Sequence, residues 1–398
     1  MKRTTLGPQI KRDSDIYCES DDSDLINWAF DPFLVDQQVL YFNFARMLEL
    51  TGITNRFDLK QEVVLNFAKN IAVKYQTNTY HNFQHGFSTA HFCFISIYRC
   101  HDIEKCLRSI DVFALLIAAL MHDVDHPGTN NNYEIQKKTE LAIRYNDTSV
   151  LEAHHAAVGW DIIYNQSGNN TIVDQLSIED LNTFRKTTIR AILHTDMVHH
   201  FSLIDQLSGL SPNAPFDVNK PSGKFKIFFF VSLVSLVSLV FFCFTSTNTF
   251  YIFQLSYKNN IYIYIFIFLI MLSDRITLVG TLIHAADISN PLIPDFNLVA
   301  KWAEKISHEF VNQYRSEVEL GLKPTNMWSS LDTNFTLGMY DSQVKFIQFI
   351  VQPMWTIILD LFPEFNSEGN LLVALNKNKA QWKSLLKEEK SRVEVEEQ

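Results

Sequence analysis

The sequence predicts an all-α fold. Three observations carry that prediction. Apolar residues recur at helical spacing from Trp28 onward, and alternating strand patterns are scarce outside one region. Residues 112–121 form an unbroken apolar run, which suits a fully buried central helix.

Residues 1–24 are polar and acidic, with Asp21-Asp22 and Asp24, and read as a loose tail. Helical spacing then shows in Phe44, Met47 and Leu48, and again in Val63, Val64, Phe67 and Ile71. After the central run, helical patterns continue over 138–163, 178–206, 276–286, 296–320 and 338–361. With 398 residues the chain has length for two or three domains, but one larger helical domain is also allowed. We divide it into a catalytic unit in two parts, 25–222 and 273–388, and an acidic C-terminal tail, 389–398.

Between the two parts lies the exception, 223–272. Ile227 to Phe244 is eighteen residues without a charge, and Ile261 to Leu272 is a further twelve. The first is long enough to span a bilayer and the second is short for it. Val-Ser-Leu repeats at 231–239 and Ile-Tyr alternation at 261–265 also suit low-complexity sequence or a translated intron. Membrane hairpin, inserted low-complexity segment and buried core helices are the three readings, and a single span is excluded if the two flanks share one site.

The apolar content of 47% supplies a large core, in which 32 Phe are unusually many. A formal charge of −10 without basic blocks argues against nucleic acid as a partner. Cys18, Cys93, Cys100, Cys106 and Cys243 are odd in number and form no C-x-x-C pair, so a reducing compartment fits. The N-terminal residues lack the apolar core of a signal peptide, which makes a cytoplasmic location the expectation. Membrane association would come only through 223–272.

Chemistry concentrates in Met121-His122-Asp123-Val124-Asp125-His126-Pro127-Gly128, where imidazoles and carboxylates close an apolar run. These are ligands for divalent ions such as zinc, iron or manganese; a polar helix end with incidental His and Asp is the plainer reading. Upstream, His81 and His85 are four residues apart and share one face of a helix or of its first turn. Downstream, Glu152, His154 and His155 add three candidate groups, and Asp287 interrupts an apolar helix. An ionised Asp there is costly unless paired or metal-bound, although Asp-Ser-Asn can also cap the next segment. His85, His122, Asp123 and Asp287 together suit a six-coordinate divalent ion with open positions, and Asp123 can bridge to a second ion held mainly by water. A water shared by two such ions is a nucleophile at neutral pH, and phosphoester hydrolysis is the natural chemistry.

The ordered motifs Tyr80-His81-Asn82-x-x-His85, His122-Asp123-x-Asp125-His126-x-Gly128-x-x-Asn131, Leu151-Glu152-x-His154-His155, Thr195-Asp196-Met197, Asp287-Ile288-Ser289-Asn290-Pro291 and Ser342-Gln343-Val344-x-Phe346-Ile347 resemble those of class I cyclic-nucleotide phosphodiesterases. The resemblance runs from about Trp28 to Trp382, interrupted by 223–272. It implies an all-helical catalytic domain of the His-Asp phosphohydrolase type, with zinc at a first site and magnesium or manganese at a second. It implies hydrolysis of a 3′,5′-cyclic purine nucleotide, cAMP favoured and cGMP allowed, to the 5′-monophosphate. His85, His122, Asp123 and Asp287 become metal ligands and His81 the general acid. Glu152 and Thr195 order waters on the second ion, with His126, Asn131, His155 and Asp196 in support. Gln343 reads the purine, Phe346 and Ile306 clamp it, and Met197, Asn290 and Trp302 line the same pocket.

Ala153, Ser88, Tyr314, Arg315 and Lys345 depart from the family pattern, and Lys345, in place of a small residue between Gln343 and Phe346, could crowd the helix near the pocket. The competing expectations are another nucleotide phosphohydrolase of the His-Asp superfamily and a nucleotide-binding pseudoenzyme disabled by the insertion.

Overall fold

A computed structural model describes residues 22–165, 171–208 and 274–396; the hydrophobic segment 223–272 lies outside the described residues. Helices are α1 (Gln37–Leu50), α2 (Gln61–Lys74), α3 (Phe83–Arg99), α4 (Ser109–Met121), α5 (Asn131–Lys137), α6 (Val150–Tyr164) and α7 (Ile178–Leu193). They continue with α8 (His200–Ser208), α9 (Asp274–Asp287), α10 (Phe296–Glu319), α11 (Phe335–Phe346), α12 (Gln352–Leu361) and α13 (Leu371–Glu396). No strand occurs among the described residues.

The apolar run at 112–121 is the axis of the fold. Every residue of α4 from Ile110 to Met121 is buried, and the helix packs against α3, α7 and α9. Each large side chain removed from water in this way contributes about 1.5–3 kcal/mol. Asp111 caps its start by accepting the Arg108 backbone N–H at 3.0 Å, and it ends at His122 ahead of a left-handed Asp125 (φ 62°). Arg275, at the start of α9, lies 3.3 Å from the same Asp111 carboxylate. At the other end Asp287 meets His122, so α9 runs parallel to α4.

α3 runs the opposite way. Asn82 caps it, accepting the His85 N–H at 3.2 Å. Gly86 lets its first turn approach α4 closely, because a Cβ there would stand 2.9 Å from the Leu120 carbonyl oxygen. The start of α3 therefore faces the ends of α4 and α9. Two carbonyl-bearing helix C-termini favour a cation between them.

Several elements differ from the sequence expectations. The 138–163 pattern is broken by left-handed Lys138, Asn146, Asp147 and Ser149, with a one-turn helix Glu140–Arg144 before α6. The 178–206 pattern stops at His194, where Asp196 caps a 3₁₀ turn, Met197–His199, that leads into α8. Between α11 and α12, Ile347–Val351 is π-helical. Pro353 follows and has no N–H to return to the preceding turn, which favours that wider winding. The described chain begins with one turn, Asp22–Leu25, whose Asp22 carboxylate pairs with Arg46 at 2.7 Å. The acidic C-terminal tail continues α13 as far as Glu396, with Arg392 bridging Glu389 and Glu396. Helix α13 itself is absent from the sequence expectations, although its buried Leu371, Leu375, Asn378 and Trp382 follow helical spacing.

Candidate metal centre and nucleotide site

His85, His122, Asp123 and Asp287 converge at the junction of α3, α4 and α9, with one ligand-type atom from each within 4.8 Å of all the others. His85 Nε2 stands 3.2 Å from Asp123 Oδ2 and 3.0 Å from Asp287 Oδ1. Yet this buried nitrogen forms no hydrogen bond. His122 Nε2 does contact Asp287 Oδ1, at 3.3 Å, but His85 Nε2 is aimed between two carboxylates without bonding either, as a ligand facing an ion would be. The Nδ1 of His122 lies 2.9 Å from the Ala119 carbonyl oxygen, which can only accept. Nδ1 therefore carries a proton, and Nε2 is the ring nitrogen that faces the carboxylates, where an ion would take the place of its proton.

Electrostatics agree. Burial opposes ionisation of Asp123 and Asp287, but His122 and His85 hold both carboxyls well below their usual range. Burial likewise lowers His122, and Asp123 with Asp287 push it well above its usual value. Two ionised carboxylates and two imidazoles in a buried pocket call for positive charge at their centre. The donor set fits a divalent metal ion.

His81 precedes α3 and is tied to α10. Its Nδ1 lies 2.6 Å from Glu309 Oε2, and Glu309 Oε1 accepts the Tyr80 and His81 backbone N–H groups at 2.6 and 2.9 Å. Burial pulls the His81 imidazole down, and the Glu309 carboxylate more than reverses it, so His81 titrates above its ordinary value. Glu309 was not anticipated from the sequence. Its signal was available: Trp302, Ile306 and Glu309 follow one another at four and three residues, so a carboxylate shares the face of two expected pocket residues.

The ring of His126 stacks on His81 at 3.9 Å and stays neutral, because burial and then the His81 charge hold it well below its usual range. Its Nδ1 accepts the Gly128 N–H at 3.0 Å, leaving the proton on Nε2. His155 has the reverse tautomer: Nδ1 faces the Val124 carbonyl at 2.7 Å, and Nε2 lies 3.7 Å from Asp123 Oδ1. His126 thus offers an N–H and His155 a lone pair beside Asp123. Asn131 donates to Glu152 at 2.9 Å and accepts the Leu151 N–H at 2.9 Å. Burial, then the Asp196 and Asp123 charges, raise Glu152 to about 7. Thr195 is buried and donates to the Ile192 carbonyl at 2.8 Å, and Asp196 accepts from Ser149 Oγ at 2.8 Å while capping Val198. Asp125 joins Gln76 and, at 2.9 Å, His154.

The expected purine-binding residues are less tightly linked. Asn290 donates from Nδ2 to the Tyr80 hydroxyl at 2.8 Å. Trp302 is buried, its ring 5.4 Å from Tyr80 and 4.6 Å from Phe33. Gln343 is buried and its side-chain amide bonds to nothing among the described residues, while Ile306 and Phe346 are half-buried against the main core. Met197 is partly exposed on the 3₁₀ turn.

The departures are accommodated locally. Lys345 is exposed and pairs with Asp341 at 2.6 Å, so it leaves the pocket side of α11 uncrowded. Arg315 pairs with Asp332 at 2.6 Å, and Tyr314 packs on a small cluster of Val311, Trp328 and Leu331. Ser88 lines a small cavity with Asn290 and Trp302, and Ala153 lines a surface groove with Trp160 and Arg185.

The sequence model of the 3′5′-cyclic nucleotide phosphodiesterase family matches residues 80–370. A probable 3′,5′-cyclic-AMP phosphodiesterase of Caenorhabditis elegans is 30% identical over 92% of this chain and 47% of its own length. A dual-specificity calcium/calmodulin-dependent 3′,5′-cyclic nucleotide phosphodiesterase of mouse is 26% identical over 85% of this chain and 40% of its own. The chain thus spans about half the length of these relatives, or less. The crystal structure of the phosphodiesterase domain of a rhodopsin fusion protein from Salpingoeca rosetta superposes with a TM-score of 0.72 at 22% identity, over 92% of this chain and 97% of that one, and so shares the fold. Family match and helical architecture coincide: the chain belongs to the 3′5′-cyclic nucleotide phosphodiesterase family.

Proposed function

We propose that the chain hydrolyses a 3′,5′-cyclic purine nucleotide to the 5′-monophosphate, with cAMP preferred. The observation that carries the proposal is the His81–Glu309 pair standing beside the His85, His122, Asp123 and Asp287 cradle. We assign zinc to that cradle, and magnesium or manganese to a second position beside Asp123, where His126, Glu152, His155 and Thr195 surround mostly water. Divalent ions held there would supply an ionised water and neutralise charge developing on the phosphate.

The reaction joins a water oxygen to phosphorus and breaks the bond to O3′. The departing O3′ needs a proton, and His81 is the donor. Its imidazole, raised by Glu309, keeps its proton to higher pH than an ordinary imidazole, and the same carboxylate fixes the ring while the proton leaves. His126 Nε2–H and the Thr195 hydroxyl orient water around Asp123.

Base preference follows from Asn290. Because its Nδ2 donates to Tyr80, the free Oδ1 is an acceptor that suits the amino edge of adenine. Gln343, with its amide unengaged, offers both donor and acceptor, while Phe346 and Ile306 clamp the ring. The buried thiols of Cys93 and Cys106 fit a reducing, cytoplasmic setting.

The test measures cAMP and cGMP hydrolysis by the full chain before and after chelation and metal return. Turnover should vanish and recover, and His81→Ala should lower kcat by about 10²–10⁴-fold with nucleotide binding kept. Loss of binding together with turnover would make His81 a structural group; metal-independent turnover would remove the reading altogether.

A further inference from the structure

We propose that Phe33 is a positioning residue for the base pocket: it sets the Trp302 indole, and through it Tyr80 and Asn290, against the purine. The inference rests on the nucleotide reading given above and adds a residue to it. Phe33 lies between the first turn, Asp22–Leu25, and α1, and its ring centroid is 4.6 Å from that of Trp302, with the planes at 53°. Trp302 in turn meets Tyr80 edge-on at 5.4 Å, and the Tyr80 hydroxyl accepts the Asn290 Nδ2–H at 2.8 Å. A continuous line of contacts thus joins Phe33 to the group assigned to the adenine edge.

The state of Trp302 makes this outer ring matter. The indole is 1% exposed, yet its Nε1 has no hydrogen-bond partner among the described residues. Without that bond, its orientation depends on the rings packed around it. It also lines a small cavity with Asn290 and Ser88, so its packing there is incomplete and leaves room to turn. Phe33 itself is held firmly. Asp31 Oδ1 accepts the Phe33 N–H at 2.8 Å, and Lys301 lies 3.6 Å from the Asp31 carboxylate. Lys301 and Lys305, four residues apart on α10, bring their ammonium groups to 4.2 and 4.7 Å from the Phe33 ring centroid, where the aromatic quadrupole attracts them. Helix α10 also carries Trp302, so Phe33 is clamped to the very helix whose indole it touches. The reacting end has separate tethers, Glu309 for His81 and the Ala119 carbonyl for His122, and neither passes through Phe33. Loss of the Phe33 ring should therefore be felt at the base.

The experiment compares the full, metal-loaded chain with Phe33→Ala, Phe33→Leu, Phe33→Tyr and, on the same segment, Leu34→Ala, whose side chain is 79% exposed. Phe33→Ala should raise KM for cAMP by roughly three- to tenfold while kcat stays within about twofold, and should narrow the preference for cAMP over cGMP. Phe33→Leu removes the ring with less loss of volume and should move KM in the same direction by less, which keeps the test open if Phe33→Ala does not fold. Phe33→Tyr keeps the ring and should restore both quantities, and Leu34→Ala should change neither. A merely structural ring would lower the folded fraction, and kcat with it, leaving KM and the preference unmoved; that pattern would overturn the proposal. A second readout needs no nucleotide. With fluorotryptophan incorporated, the fluorine NMR resonance of Trp302, assigned by its loss in Trp302→Phe, should shift in Phe33→Ala or Phe33→Leu and return in Phe33→Tyr. An unmoved resonance in an active enzyme would overturn the proposal and leave the nucleotide reading standing. A shifted resonance in a chain without cyclic-nucleotide turnover would remove the nucleotide reading, and the positioning of a base with it.

Discussion

The cradle at the junction of α3, α4 and α9 and the proposed purine wall on α10, α11 and the turn after α9 are held by different forces. In and around the cradle four imidazoles have a direction imposed from behind. Ala119 fixes His122, Val124 fixes His155, Gly128 fixes His126 and Glu309 fixes His81. In the wall, Asn290 alone has such a tether among Asn290, Gln343, Phe346 and Ile306; Phe346 and Ile306 rest on apolar packing. Hydrogen bonds fix angles, whereas apolar contact fixes only distance and exclusion of water. Chemistry should therefore tolerate little change, and base selection should drift readily among related chains.

The sharpest way to break this contrast is Asp287→Ala. Bound metal, measured by elemental analysis, should be lost together with turnover, by more than the roughly 10–100-fold expected for an outer partner. Retained metal would show that the cradle is not built as described. Glu309→Gln should have the next largest effect. Glu309 raises His81, and a general acid works only while protonated, so activity falls as pH rises through its pKa. Removing the carboxylate lowers that pKa and moves the alkaline limb of the kcat profile to lower pH; an unmoved limb would exclude His81 as the acid. Tyr80→Phe releases Asn290 to rotate. The ratio of kcat/KM for cAMP over cGMP should shrink by roughly fivefold, the equivalent of about 1 kcal/mol for one hydrogen bond. Lys345→Ala should be the smallest, changing neither KM nor thermal midpoint measurably, because its ion pair is exposed.

Much of this was legible in the sequence, for a physical reason. Charged ligands at the ends of apolar helices are expensive to bury without a partner, so His122-Asp123 and Asp287 stood out against their own surroundings. Helices α9 and α10 were likewise marked by the period of their apolar residues, and α4 by its unbroken apolar run. What stayed hidden depends on distant pairing. Glu309 meets His81 across 228 residues, and Asn290 meets Tyr80 across 210. Neither partner is anomalous in its own segment. The π-helical turn at Ile347–Val351 is similarly unmarked, since Pro353 alone does not say which turn will widen.

The parallel pairing of α4 with α9 has a consequence for biosynthesis. His122 and Asp287 are 165 residues apart. At about 5–20 residues per second, a ribosome completes the last ligand roughly 8–33 s after the first three have been made. Throughout that interval the nascent chain carries two imidazoles and a carboxylate without their fourth partner. If the four groups hold an ion as proposed, its capture is a late event that follows translation past Asp287 and the docking of α9.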